Sequence, residues 1–186
     1  MTELIVALSG NTVELHGTAL LEVTARTAEG HVVTPPTDSL VFTSSDYGIA
    51  LVSPQGVVYG GSRGTATIRV IYGGVSAGLT VLVRARLAVT LGEATRTTNF
   101  VVAVGDTLPL VARFVDVNGV PVLGEPTVIW SSDNPAAVSV DQSGHAVALQ
   151  PLQQAMVVAT AALEGPATAH ILVDEVSSPP RSDRPT

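Results

Sequence analysis

Apolar and polar residues alternate along this chain in short runs set apart by turn residues. A first set of runs is LIVAL at 4–8, TALLEVTAR at 18–26, HVV at 31–33, LVFTS at 40–44, IALV at 49–52, GVVYG at 56–60, TATIRVIY at 65–72 and GLTVLV at 78–83. A second set follows: RLAVTL, TLPLVARFVDV, TVIWS, AVSV, HAVAL, MVVATAAL and AHILVDEV. A period of two turns one side of each run toward a core, which is the signature of a strand. Seven or so short strands in about 85 residues is the pattern of an antiparallel sandwich. Asn118-Gly119 sits between two apolar runs and predicts a hairpin, with Ala28-Glu29-Gly30 in the matching place of the first set. PLQQAMVVATAAL comes nearest to a helical run, yet its later residues read as strand, so the predicted fold class is all-β.

The two sets are copies. Ser44-Ser45-Asp46 recurs 87 positions on as Ser131-Ser132-Asp133, and Ala25-Arg26 as Ala112-Arg113. Val52 and Gly56 recur 88 positions on as Val140 and Gly144, and Val81–Val83 90 positions on as Ile171–Val173. This match of letters implies one extra residue after Asp133 and puts Thr43 where the second copy has Trp130. A repeat this long is a duplicated domain and not a solenoid unit. The expected organisation is a first sandwich over 1–84, a second over 85–176 and an extended Pro-rich tail over 177–186. The junction VLVRARLAV carries no Gly, Pro or Ser, so it reads as a short, stiff connection.

Composition narrows the chemistry. All nine basic residues are arginine, so a P-loop lysine, a Schiff base and a lysine base are excluded. With no cysteine there is no disulfide, thiolate nucleophile or Cys-based zinc site. The net charge of −7 and scattered arginines speak against nucleic acid as a partner. No apolar run reaches the length of a membrane span, so no membrane insertion is expected. The N-terminus lacks the basic region and apolar length of a signal peptide.

Each candidate site has a plain structural alternative. Gly60 to Gly64 reads G-x-S-x-G around Ser62, but the motif needs a helix after it and a strand-like run follows, so a hairpin loop is expected. His16, His31, His145 and His170 lack metal-binding spacing. Asp46, Asp133 and Asp141 could offer oxygens to calcium, yet no D-x-D-x-D-G loop exists, so short polar caps at strand ends are expected. Trp130 shares its strand face with Val128 and is expected to fill a core, not to serve as a sugar platform. No catalytic residue, cofactor or metal is expected.

VIWSSDNPAAVSVDQSG at 128–144, its counterpart VFTSSDYGIALVSPQG at 41–56 and GTATIRV at 64–70 resemble the bacterial immunoglobulin-like group 2 domain. FVDVNGVPVLGEPTVIWSS also looks like the related group 1 domains of bacterial adhesins. The resemblance implies two tandem immunoglobulin-like β-sandwiches without enzymatic activity, used for adhesion, spacing or display on cell surfaces and phage virions.

The leading expectation is a structural or decorating protein of a bacteriophage virion, in head or tail, with capsid or tail subunits as partners and self-association as a further option. The alternatives are a fragment of a bacterial surface adhesin or S-layer protein, and a carbohydrate-binding accessory module that would meet host-surface glycans. Ser177 to Thr186 cannot build a core of its own and is expected to lie on another chain. Pro179 and Pro180 would keep it extended, and Arg181 and Arg184 would be its polar anchors.

Overall fold

The computed structural model describes residues 3–92, 99–162, 164 and 166–174. Among these, only two 3-10 turns, Ser9–Asn11 and Thr37–Ser39, interrupt an all-β chain. The chain divides into two compact units: Met1–Arg86 with Asp116–Val120, and Leu87–Val115 with Pro121–Thr186.

In the first unit the strands are β1 (Glu3–Ala7), β2 (Thr12–Glu14), β3 (Thr18–Leu20), β4 (Glu22–Arg26), β5 (Val32–Val33), β6 (Val41–Ser44), β7 (Ala50–Val52), β8 (Val57–Gly60), β9 (Gly64–Tyr72) and β10 (Val75–Arg84). One sheet runs β2-β10-β9-β6, with β2 parallel to β10; two three-stranded pieces run β1-β4-β5 and β3-β8-β7. Alternation sorts the faces: along β9, Ala66, Ile68 and Val70 are buried while Thr65, Thr67 and Arg69 face solvent. Val13, Leu21, Val23, Val58, Val81 and Val83 complete the core. TALLEVTAR is not one strand here. It breaks at the buried Leu21, whose N–H still donates to the Gly56 carbonyl at 2.9 Å in register with β3 and β8; from Glu22 on the chain pairs with β1 instead.

In the second unit the strands are β11 (Arg86–Leu91), β12 (Asn99–Ala103), β13 (Thr107–Val115), β14 (Val128–Ser132), β15 (Val138–Val140), β16 (His145–Ala148), β17 (Gln154–Ala161) and β18 (Ala167–Asp174). Their order is β12-β18-β17-β14 in one sheet and β11-β13-β16-β15 in the other. Again the first strand of the former sheet is parallel to the last. Trp130, Val138, Val157, Ala159, Ile171 and Val173 lie at the centre of the core. The stretch that looked most helical forms β17, because its alternate residues Ala155, Val157, Ala159 and Ala161 point inward.

The two units repeat one hydrogen-bond pattern, and it corrects the letter-based match. Asp46 N–H donates to Ser44 Oγ, and Asn134 N–H donates to Ser132 Oγ. Ala50 N–H meets the Asp46 carbonyl as Val138 N–H meets that of Asn134. Gly61 N–H meets the Ile49 carbonyl as Leu149 N–H meets that of Ala137. The offset is therefore 88 throughout this stretch, with no extra residue. Ser45 corresponds to Asp133, and Phe42, not Thr43, stands in the place of Trp130. The inward residues agree: Phe42 lies opposite the buried Val70, and Trp130 opposite the buried Ala159. Likewise Leu21 N–H to Gly56 is matched by Leu110 N–H to Gly144. That sets the offset at 89 there and pairs Ala25 with Phe114, not with Ala112.

Candidate functional site

Asp46, Asp133 and Asp141 are each occupied in holding the backbone, and Ser62 lies in a tight turn. Ser62 lies in the turn from β8 to β9, where Gly61 N–H donates to the Ile49 carbonyl at 2.8 Å. The strand β9 follows directly, so the strand–turn–helix elbow that a nucleophile needs is not formed. The expected outcome for Ser62→Ala is an unchanged melting curve and unchanged turnover of p-nitrophenyl esters. Loss of a measurable esterase rate on that substitution would restore the elbow.

The three aspartates are not brought together. Asp46 Oδ1 accepts from Gly48 N–H at 2.8 Å and Ile49 N–H at 3.3 Å. Asp133 Oδ1 accepts from Met156 N–H at 2.7 Å, tying the end of β14 to β17. Asp141 Oδ1 accepts from Ser143 N–H at 2.8 Å and His145 N–H at 2.9 Å. Those donors, with His145 N–H first, hold the Asp141 carboxyl below its ordinary value against the effect of burial. In the first unit Ser53 Oγ takes the equivalent pair, from Gln55 and Val57 N–H. Among the described residues, no group of three or more His, Asp or Glu could hold a metal ion.

The histidines are similarly dispersed. His31 lies in the turn after β4, its N–H donating to Thr27 Oγ1. His170 is exposed on the outer face of β18 beside Met156. His16 stacks on Tyr59 with ring centroids 6.5 Å apart, and its Nδ1 lies 3.0 Å from Asp116 Oδ2. Asp116 was not picked out from the sequence, although it opens the DVNG turn. Its Oδ1 accepts from Asn118 N–H and Val120 N–H, both at 2.9 Å. The bond with His16, then that with Val120, holds its carboxyl below the ordinary value.

A carboxyl depressed in the folded state contributes stability that is present above its unfolded value of 3.8 and is lost as pH falls below it. Asp116→Asn keeps one oxygen for the turn but removes the charge. The variant is expected to melt lower than the parent at neutral pH, and the gap should close as pH falls below that value. A constant gap across the titration would show that the charge of Asp116 is not responsible.

Trp130 is 5% exposed and belongs to the core. Its indole lies over the turn at Gly144, so no ring face is free to stack on a sugar. Its backbone is held in an arrangement the sequence did not disclose. Trp130 N–H donates to Gln142 Oε1 at 3.2 Å, and Gln142 Nε2 donates to the Trp130 carbonyl at 3.0 Å. The side-chain amide thus acts as one more residue of strand along the outer edge of β14. The remaining candidates, Pro179, Pro180, Arg181 and Arg184, lie outside the described residues.

What stays open is surface. The outer face of β12-β18-β17-β14 exposes Val101, Leu172 and Ile129; Val101 and Leu172 line a shallow depression together with Met156 and His170. The equivalents of Val101, Met156 and Val158 in the first unit are Thr12, Thr67 and Arg69, a more polar set. Beyond β13, Leu123 is 98% exposed on the loop toward β14.

No protein-family model matches the chain, and no curated protein sequence does. A solved structure shares its fold. The C-terminal 282-residue fragment of intimin, in complex with the intimin-binding domain of the translocated intimin receptor, aligns with a TM-score of 0.53 at 15% identity. That alignment covers 93% of this chain and 64% of the fragment, so the chain spans less than two thirds of it. Domains 4 and 5 of the S-layer protein SbsC align over 93% of this chain and 98% of that one, at 19% identity and a TM-score of 0.39.

Proposed function

We propose that the chain is a non-enzymatic pair of tandem immunoglobulin-like sandwiches, of the bacterial group 2 kind, that spaces or presents binding surfaces outside the cell. The observation that carries this reading is that Ser62, Asp46, Asp133, Asp141 and Trp130 are each accounted for by turn, cap or core, which leaves exposed surface as the means of action. The fold shared with an intimin fragment bound to a receptor domain supports a role in binding a protein partner. On that support a surface adhesin is proposed ahead of a virion protein. No metal or cofactor takes part. Pro179, Pro180, Arg181 and Arg184 are proposed as partner-binding residues of the tail.

Antibodies raised against the full chain test the reading on intact source cells and on purified phage particles. Surface label that is lost on brief protease treatment of intact cells is the expected result. Label confined to particles would replace it with the virion reading, and label found only after lysis would overturn both.

A further inference from the structure

We infer that the outer edge of β6 accepts an extended, arginine-bearing strand, and that its occupant is the segment 175–186 of a second copy of this chain. The inference rests on the contrast between the β6 and β14 edges and on the sequence of the tail, and stands apart from where the protein is displayed.

The edge follows from the ladder. Ser45 N–H donates to the Thr67 carbonyl at 3.0 Å. Bonded and non-bonded pairs alternate along an antiparallel ladder. Hence Val41 and Thr43 bond to β9, while the N–H and C=O of Phe42 point away from the sheet. Trp130 has the same orientation in the second unit, and there Gln142 occupies both groups. The residue equivalent to Gln142, at the offset of 88, is Pro54, which has no amide to offer. Among the described residues nothing bonds to the outward groups of Phe42. One edge is therefore closed by a side chain, and its twin is open.

The open edge borders a groove. Leu21, Val23, Pro35, Leu40 and Phe42 supply its apolar lining, and its volume is about 400 Å³. The equivalent groove of the second unit, between Leu110, Ala112 and Trp130, is lined by Gln142 as well. None of Val41, Phe42, Thr43 and Ser44 is charged, so β6 lacks the charges and prolines that usually blunt an exposed edge.

Size and charge choose the occupant. Four strand residues span only about 13 Å, too little for the roughly 800 Å² per partner of a stable contact between two folded faces. A peptide that adds one strand and fills the groove beside it fits that scale. Glu22 is the one charged residue in the lining, which favours a cationic side chain. Residues 181–184, Arg-Ser-Asp-Arg, form a run of four without proline, the length of β6, carrying two arginines. Pro179 and Pro180 before the run and Pro185 after it cannot donate to a ladder, which confines pairing to those four.

Sedimentation velocity of the full chain over a wide concentration range tests the inference. The parent is expected to self-associate. Pro54→Gln, which installs the amide found in the second unit, should weaken association about tenfold or more, since it competes for both outward groups of Phe42. The paired substitution Arg181→Glu and Arg184→Glu should weaken it about tenfold, and adding Glu22→Arg to that pair should restore part of the loss. Circular dichroism checks that each variant stays folded. A parent that is monomeric at every concentration, or association unchanged in Pro54→Gln, would overturn the inference. Loss in Pro54→Gln without loss in the arginine variant would also overturn it, and would give the edge to β6 of a second copy.

Discussion

Replacing Trp130 with alanine is expected to remove about 3–5 kcal/mol from the stability of the second unit, the range for deleting a large buried aromatic. The ring is 5% exposed, its cross-strand neighbour is Ala159, and the core it belongs to includes Ala146, Ala148 and Ala155. Such small neighbours have no longer rotamer with which to fill the space, so the cavity should persist and the cost should fall at the upper end. Trp130 is the one tryptophan, so its fluorescence reports the parent's second unit directly; the variant is followed by far-ultraviolet circular dichroism in urea. Hydrogen exchange should show lost protection in β14 and β17 and unchanged protection in β9 and β10. A loss below about 1 kcal/mol would mean that the ring is not a core residue.

The strands were legible because the alternation of burial is strict. Along β17 and β18 every second residue is apolar and small, and these are the residues found inside. The repeat was legible too, but its register was not, and the reason is chemical. Ser45 and Asp133 fill the same role with different side chains. Thr67 N–H donates to Ser45 Oγ at 2.9 Å, and Met156 N–H donates to Asp133 Oδ1 at 2.7 Å. A hydroxyl and a carboxylate are interchangeable acceptors at such a place. Matching like letters, Ser-Ser-Asp upon Ser-Ser-Asp, therefore slides the copies by one and puts Thr43 against Trp130. Since the side-chain period of a strand is two, a slip of one sends an outward residue inward. Requiring buried positions to coincide would have selected Phe42.

The bond between Gln142 and Trp130 was beyond reach for a different reason. It spans twelve positions and depends on how the turn after β15 folds against an edge strand, which composition and periodicity do not encode. The contrast of Pro54 with Gln142 was present in the sequence, but its meaning needs the correct register. Once the register is known, two copies of one fold differ where each meets the outside: a closed edge and a more apolar sheet face in the second unit, an open edge in the first.

Gly144 gives the second large effect. Its φ is +85°, a conformation that costs an L-residue about 1–2 kcal/mol. A Cβ there would lie 2.4 Å from the Leu110 carbonyl oxygen and 3.2 Å from Trp130 Cζ2. The carbonyl cannot retreat, because it belongs to the residue whose own N–H bonds to the Gly144 carbonyl at 2.9 Å. Gly144→Ala is therefore expected to cost about 2–5 kcal/mol, strain and overpacking together. Gly56 is the internal control. It occupies the same turn with φ of +78°, but its added Cβ would meet the edge of the Phe42 ring at 3.1 Å, with no backbone atom so close. Phe42 is only half-buried and can swing away. Gly56→Ala should then cost little beyond the conformational term, about 1–2 kcal/mol. Urea denaturation of the two variants, with tryptophan emission following the second unit and hydrogen exchange the first, checks both values. Equal losses would show that the positive φ alone fixes glycine in this turn. A larger loss for Gly144→Ala, with red-shifted emission before unfolding, would place the difference in the contact with Leu110 and the indole.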